Sequence, residues 1–111
     1  MGSNLFVFTR ICAKEGLQQS VAAAIEEVLG PTSQELGCIT IDAFRSTGDP
    51  RLFCIHSRWQ DEADFDDHLQ RSHTLQFLES IRALSAEPMK VTRAQLLLRP
   101  VPVSDIASYW I

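Results

Sequence analysis

The sequence is poor in positive charge and in long apolar runs, and each shortage excludes a class of protein. Ten lysines and arginines stand against 14 acidic residues, and no run of basic residues occurs in the 111-residue chain. The electrostatic footprint of a nucleic-acid or anionic-membrane binder is missing, so we expect neither partner. No apolar run approaches the roughly 20 residues of a membrane-spanning helix, and the polar first four residues do not open a signal peptide. We therefore expect a cytoplasmic protein.

Cysteine is also scarce. The three cysteines, Cys12, Cys38 and Cys54, are odd in number and far apart, and their spacing matches no zinc motif. Each falls inside a predicted strand. We interpret all three as small buried side chains.

Alternating and periodic apolar residues predict four strands and two helical regions in a single domain. β-Branched and aromatic residues mark the strands, which we place at residues 5–13, 38–45, 52–59 and 89–98. One helical region follows the first strand and the other follows the third. The order β-α-β-β-α-β is the ferredoxin-like plan of an α+β protein, in which both helices cover one face of a four-stranded antiparallel sheet.

Both helical regions contain predicted breaks. In the first, Pro31 removes a hydrogen bond, so we expect a kink and then a short helical turn from Thr32 to Leu36, capped by Gly37. In the second, Asp61 is the expected N-cap. Ser72 is placed to act as a new N-cap, which predicts two helical pieces there.

The predicted strands are apolar on both faces, although two helices can cover only one. In the second strand, Ile39 and Ile41 should point one way and Cys38 and Phe44 the other. A second apolar surface of this size predicts a partner, most simply the same sheet of a two-fold related chain. We expect a homodimer.

The last segment of the chain differs from the rest. Residues 1–99 form the predicted domain, and residues 100–111 form a C-terminal arm that Pro100 and Pro102 keep extended. Its Tyr109 and neighbouring apolar residues are unsuited to a terminal segment that makes no packing contacts. We expect the arm to pack on the partner subunit or over the sheet edge.

Four short motifs stand in order along the chain. They are Ala13-Lys-Glu-Gly16, Glu35-Leu-Gly-Cys38, the segment from Trp59 to His68 followed by Ser72-His73, and Glu87-Pro88. Together they resemble the antibiotic biosynthesis monooxygenase domain family, over about residues 5–98. The resemblance implies a dimeric α+β barrel with a ligand cavity between helices and sheet. In many members it also implies oxygenation of an electron-rich aromatic, such as a quinol or an anthrone, without flavin, haem or metal.

The candidate base is a histidine. Dioxygen reacts slowly with closed-shell molecules, whereas a deprotonated dihydroxyarene can pass it an electron, so the protein must supply a base in a dry pocket. His73, in the first turn of the second helical piece, is our first choice because a helix N-terminus favours neutral imidazole. His68, one turn after Phe65, is the second. The structural alternatives are a partly exposed His73 that only begins a helix and a core His68 bonded to a backbone carbonyl.

Aromatic residues near these histidines are the candidate substrate contacts. Trp59, Phe65 and Phe77 would stack on a planar substrate, or they are ordinary core. Ser57 shares a strand face with Trp59 and is a candidate hydrogen-bond partner. Many members of the family carry Glu at the position of Ser57, so the resemblance carries over no role for a carboxylate there.

A metal site is not expected. On one continuous helix the two histidines would point about 140° apart, and no third ligand stands at a recognisable spacing even if the break at Ser72 brings them together. The predicted function is therefore a cofactor-independent monooxygenase that oxidises a quinol, anthrone or polyphenol with dioxygen. The alternatives are a non-catalytic small-molecule-binding dimer, or an isomerase or haem-degrading protein on the same scaffold.

Overall fold

The computed structural model describes residues 4–101 of the chain. Its strands pair in the order β2-β3-β1-β4, and every pairing is antiparallel. Three helices pack on the sheet, so the ferredoxin-like α+β fold is confirmed. The elements in chain order are β1 (Leu5–Cys12), α1 (Gln18–Ser33), β2 (Cys38–Arg45), β3 (Leu52–Trp59), α2 (Glu62–His68), α3 (Ser72–Leu84) and β4 (Lys90–Ala94).

The sheet has an inner face, which the helices cover, and an outer face. Along β3 every second residue is buried on the inner face, as the alternation predicts. These residues are Phe53, Ile55, Ser57 and Trp59. The main core cluster joins this face to α1 and α3 through residues such as Val21 and Ile81.

The outer face is apolar and partly open. His56 stacks on Phe8 with ring centroids 4.7 Å apart, and Arg58 lies over the ring of Phe6 and bonds the side chain of Asn4. Phe8 remains 42% exposed. A second apolar surface is therefore present, while the homodimer that we expect on it stays a prediction. The predicted arm, beyond residue 101, lies outside the described residues.

A β-bulge at the start of β2 corrects part of our face assignment. The register of β2 against β3 shifts between Cys38 and Thr40, which places one extra residue in β2. Cys38 consequently pairs with Trp59 and packs on the inner face, whereas we had placed it on the opposite face from Ile41. Ile39, expected beside Ile41, is 43% exposed. All three cysteines are half-buried and free, so their predicted full burial is wrong.

The first helix also departs from expectation. It runs unbroken to Ser33 with Pro31 inside its last turn, and the predicted second turn to Leu36 is absent. Pro31 removes only the bond that its own N–H would donate to the carbonyl of Glu27, and the helix ends two residues later. Leu36 is 99% exposed. Gly37 is not a left-handed cap, since only Gly16 among the glycines of residues 4–101 has a positive φ.

The break in the second helical region is confirmed. Asp61 caps α2, with its carboxylate accepting from the Asp64 amide at 2.9 Å. Arg71 rather than Ser72 is the N-cap of α3, and it caps without a side-chain bond. β4 covers only five of the ten residues predicted, because its pairing with β1 ends at Ala94. None of the helices described in residues 4–101 is long and apolar enough to cross a membrane.

Candidate functional site

A cavity of about 60 Å³ lies between the helices and the inner face of the sheet. The part of the chain that the structure describes has three buried polar residues, and all three line this cavity. Because polar groups are costly to bury without partners, their convergence on one space indicates a place where a polar ligand or water binds. The lining residues with chemical capacity are Thr32, Ser57, Thr74, His68, Phe65 and Phe77.

Two of the hydroxyls have bonding capacity to spare. The hydroxyl of Thr32, in the last turn of α1, is buried and has no hydrogen-bond partner among the described residues. Ser57 accepts a bond from the indole N–H of Trp59 at 3.0 Å, which leaves its own hydrogen free to donate. Ser57 is therefore suited to bind an oxygen of a ligand in the cavity.

His68 is the titratable group that lines the cavity. It ends α2, and its Nδ1 lies 2.7 Å from Oε2 of Glu35 and 3.2 Å from Oγ1 of Thr74. No described residue forms a hydrogen bond with its Nε2. A carboxylate beside Nδ1 holds the ring proton on that nitrogen and leaves the lone pair on Nε2, which is the arrangement that a base needs. The Trp59 ring, 4.7 Å away, packs against the imidazole.

The electrostatics of His68 favour the neutral ring. Burial lowers the pKa of His68, and this effect outweighs the hydrogen bond and negative charge of Glu35, which raise the pKa. Coulomb interactions with His73 and Arg71 lower this pKa further. The neutral ring of His68, which is the form that a base needs, is therefore favoured.

His73, our first choice of base from the sequence, does not line this cavity. Its Nε2 lies 2.7 Å from the same oxygen of Glu35, and its ring lines a separate surface recess with Phe77 and Ala24. The break between α2 and α3 brings the two imidazole rings to 6.0 Å, the convergence that one continuous helix would prevent. His73 is thus linked to His68 through Glu35.

Glu35 is the member of this cluster of contacts that we did not identify from the sequence. It lies in the turn between α1 and β2, its side chain is 8% exposed, and its other oxygen is 3.7 Å from Nε of Arg71. The motif Glu35-Leu-Gly-Cys38 was the available signal, but nothing local to it indicates a contact with histidines more than 30 residues away.

The aromatic candidates divide into two groups. Phe65 and Phe77 line the cavity, as does Ser57. Trp59 is only 1% exposed and lies behind His68, with its ring edge against Phe65 at 5.6 Å. Trp59 therefore orients the imidazole and Ser57 and does not itself line the cavity.

A further property of the three-residue cluster concerns metals. Glu35, His68 and His73 each direct one potential ligand atom to the same place, and these atoms all lie within 4.8 Å of one another. We expected no metal from the sequence because no third ligand stands at a recognisable spacing. The structure supplies that ligand in Glu35.

Known structures share the whole fold. A protein from Mycobacterium tuberculosis is 21% identical with a TM-score of 0.83, over 89% of this chain and 100% of that one. One from Pseudomonas aeruginosa is 24% identical with a TM-score of 0.82, over 88% and 98%. A crystal structure of an antibiotic biosynthesis monooxygenase is 26% identical with a TM-score of 0.76, over 88% and 99%.

Sequence comparison is consistent with the fold. No curated protein matches the chain. The family model described as antibiotic biosynthesis monooxygenase matches residues 4–80, which include β1 to β3, both histidines of the cluster and Glu35. The chain therefore belongs to the antibiotic biosynthesis monooxygenase family.

Proposed function

We propose that the protein is a cofactor-independent monooxygenase that oxidises a small electron-rich aromatic, such as a quinol, an anthrone or another polyphenol, with dioxygen. Family membership supports oxygenase chemistry. The observation that carries the proposal is the placement of His68, whose ring lines the cavity beside three buried hydroxyls while Glu35 holds its Nδ1. This is the arrangement of a general base directed at a bound ligand.

The reaction begins with a proton transfer. Nε2 of His68 takes a proton from the substrate, and the resulting anion passes one electron to dioxygen. The radical pair combines to form a carbon–oxygen bond, after which the oxygen–oxygen bond breaks. One oxygen atom stays on carbon, as a carbonyl in an anthrone or as a hydroxyl in a quinol, and the other leaves as water. Four electrons are needed, and the substrate supplies all of them: an anthrone by converting its methylene to a carbonyl, a quinol by becoming a quinone and converting one ring C–H to C–OH. No external reductant is therefore needed.

The other lining residues have distinct roles. Ser57 donates a hydrogen bond to the substrate oxygen and stabilises the negative charge that develops there. Thr32 supplies a second hydroxyl with an unfilled bonding capacity. Phe65 and Phe77 keep water from the reactive anion.

The size of the cavity sets a condition on substrate binding. A volume of about 60 Å³ holds dioxygen or a few water molecules, whereas a cavity of about 150 Å³ is needed to hold benzene. An aromatic substrate must therefore displace side chains of the lining. Leu69 and Met89 are the partly exposed members suited to this, and methionine adapts readily because it is unbranched.

A homodimer completes the proposal. The outer face carries the exposed rings of Phe8 and Phe44, and a second copy of the same sheet would cover them. The arm from residue 100 onwards would add contacts to the partner subunit. A two-fold dimer also stiffens the sheet from which Ser57 and Trp59 reach the site.

Oxygen consumption tests the function directly. We expect the purified, chelator-treated protein to consume dioxygen with at least one member of a panel of hydroquinones, naphthoquinols and anthrones, at a rate above autoxidation. One dioxygen should disappear per product, one oxygen atom from labelled dioxygen should enter the product, and no hydrogen peroxide should accumulate. Saturable binding of the same aromatics with no oxygen uptake, by a folded dimer, would instead identify a non-catalytic binding protein.

A further inference from the structure

We infer that Glu35, His68 and His73 form a binding site for a divalent first-row transition ion, such as Zn²⁺ or Co²⁺, and that the bound ion switches off the cavity base. The three residues come from three segments of the chain, the α1–β2 turn, the end of α2 and the first turn of α3. Their ligand atoms lie within 4.8 Å of one another. The site itself does not depend on the proposed function, whereas the switch rests on it.

The spacing of the three atoms suits coordination. Oε2 of Glu35 lies 2.7 Å from both Nδ1 of His68 and Nε2 of His73. An ion bonded at about 2.05 Å to the oxygen and to either nitrogen would see the two atoms roughly 80° apart, which is narrower than the tetrahedral angle that Zn²⁺ prefers and close to the right angle of an octahedral ion. Two such bonds span at most about 4.1 Å. Because the three ligand atoms lie within 4.8 Å of one another, binding must draw the two imidazoles slightly together. Two imidazoles and one carboxylate favour transition ions over Mg²⁺ and Ca²⁺, which take oxygen ligands.

Charge and burial also fit an ion of this class. The side chains of Glu35 and His68 are 8% and 12% exposed, and that of His73 is 23% exposed, so the cluster is shielded but reachable from solvent. Arg71 is the opposing charge, 3.7 Å from the second oxygen of Glu35. Its side chain is 56% exposed and can turn outward, or it can hold that oxygen as an outer partner of the ligand.

Binding of the ion changes the state of His68. Without the ion, Nδ1 of His68 and Nε2 of His73 can each donate a hydrogen bond to Oε2 of Glu35. The lone pair of the His68 ring is then on Nε2. A ligand nitrogen must offer its lone pair to the metal, so coordination through Nδ1 moves the ring proton to Nε2. The ring then cannot accept a proton from a substrate in the cavity. Of the three ligands only His68 lines that cavity, so the ion lies beside it and not within it.

Cobalt binding tests the site without reference to activity. Titration of the chelator-treated full-length protein with Co²⁺, followed by visible absorption and calorimetry, should give one ion per chain. The Glu35→Gln and His73→Gln variants should each bind at least about tenfold more weakly, with unchanged circular dichroism. His56→Gln, the same change on the outer face, should bind as the parent does. The site is overturned if Co²⁺ does not bind. It is also overturned if binding is unchanged in both the Glu35→Gln and the His73→Gln variant, which would indicate adsorption elsewhere on the surface.

Oxygen uptake tests the switch. Saturating Co²⁺ or Zn²⁺ should lower the rate at least tenfold, and chelator should restore it. In His73→Gln the ion concentration for half inhibition should rise at least tenfold. Cobalt binding that leaves the rate unchanged or raises it overturns the switch but keeps the site. If the metal-free protein consumes no dioxygen with any substrate, the proposed function and the switch both fail, and the cobalt titration still decides the site.

Discussion

Replacing His68 by glutamine is expected to lower kcat for oxygen consumption by about 10²–10⁴-fold, the usual contribution of a positioned base. Glutamine keeps a side-chain N–H that can donate to Glu35, so the buried carboxylate retains a partner. It cannot accept a proton at neutral pH. The variant therefore removes the base and leaves the hydrogen-bonded frame around it.

Two measurements separate loss of the base from loss of the cavity. Anaerobic titration of the aromatic substrate, in which no turnover occurs, should give a Kd within a few-fold of the parent value, so that the effect falls on kcat. In a His68→Ala variant, added imidazole should restore part of the rate because it can occupy the vacated space. His56→Gln provides the matched control, since His56 stacks between Phe6 and Phe8 on the outer face.

Undiminished turnover in His68→Gln would contradict the assignment of the base. So would an equal loss in His56→Gln, because that result would indicate a general effect of the substitution on the fold. A fall in rate that comes entirely from weaker substrate binding would make His68 a binding residue and leave the base to be found elsewhere in the cavity.

The parts of the structure that the sequence predicted are those with local causes. Asp61 is identifiable as a cap because its carboxylate reaches an amide only three residues away. The shared face of Ser57 and Trp59 follows from the two-residue period of a strand, and their hydrogen bond follows from that shared face. The bulge at Cys38 was not predictable, because both alternating sets of residues at the start of β2 contain apolar side chains, so the shift of one residue leaves no visible break in the pattern.

The part of the site that escaped prediction depends on contacts distant in sequence. Glu35 meets His68 and His73 across 33 and 38 residues, and no periodicity or motif spacing records such a pairing. The two histidines could be singled out because they flank a predicted helix break. The order of preference between them could not be judged, because which ring lines the cavity depends on how α2 and α3 turn on the sheet. The arrangement of the cluster is therefore a property of the packing of α2, α3 and the α1–β2 turn.

The packing of α2 against the α1–β2 turn depends on Gly37, and we expect a large effect from replacing it. Gly37 is buried, and a Cβ built on it would overlap the side chain of Asp64 in α2, starting at the Asp64 Cβ. The Gly37 carbonyl also accepts a bond from the amide of Gln60 at 2.9 Å, which ties the turn to the end of β3. We expect Gly37→Ala to lower the free energy of unfolding by about 1–3 kcal/mol, as overpacking of a buried contact does.

Urea denaturation at fixed protein concentration measures this effect, with a lower midpoint at an unchanged slope as the expected result. Gly30→Ala is the matched control. Gly30 is exposed in α1 with nothing within 4 Å of a built Cβ, so that change should stabilise the protein by about 0.5–1 kcal/mol through helix propensity. Adding Asp64→Gly to Gly37→Ala removes the overlapping side-chain atoms, so the double variant should regain part of the lost free energy of unfolding. The recovery is incomplete because a glycine within a helix itself costs roughly 1 kcal/mol.

The same substitution should also disturb the site. Gly37 lies two residues after Glu35, and Asp64 is on the helix that ends at His68, so relieving the overlap must move the turn and α2 apart. We expect kcat and Co²⁺ affinity to fall together in Gly37→Ala and to recover together in the double variant, because both require Glu35 beside His68. A Gly37→Ala protein as stable as the parent, with both properties intact, would show that α2 can shift without cost and that Gly37 does not set the distance between the carboxylate and the base.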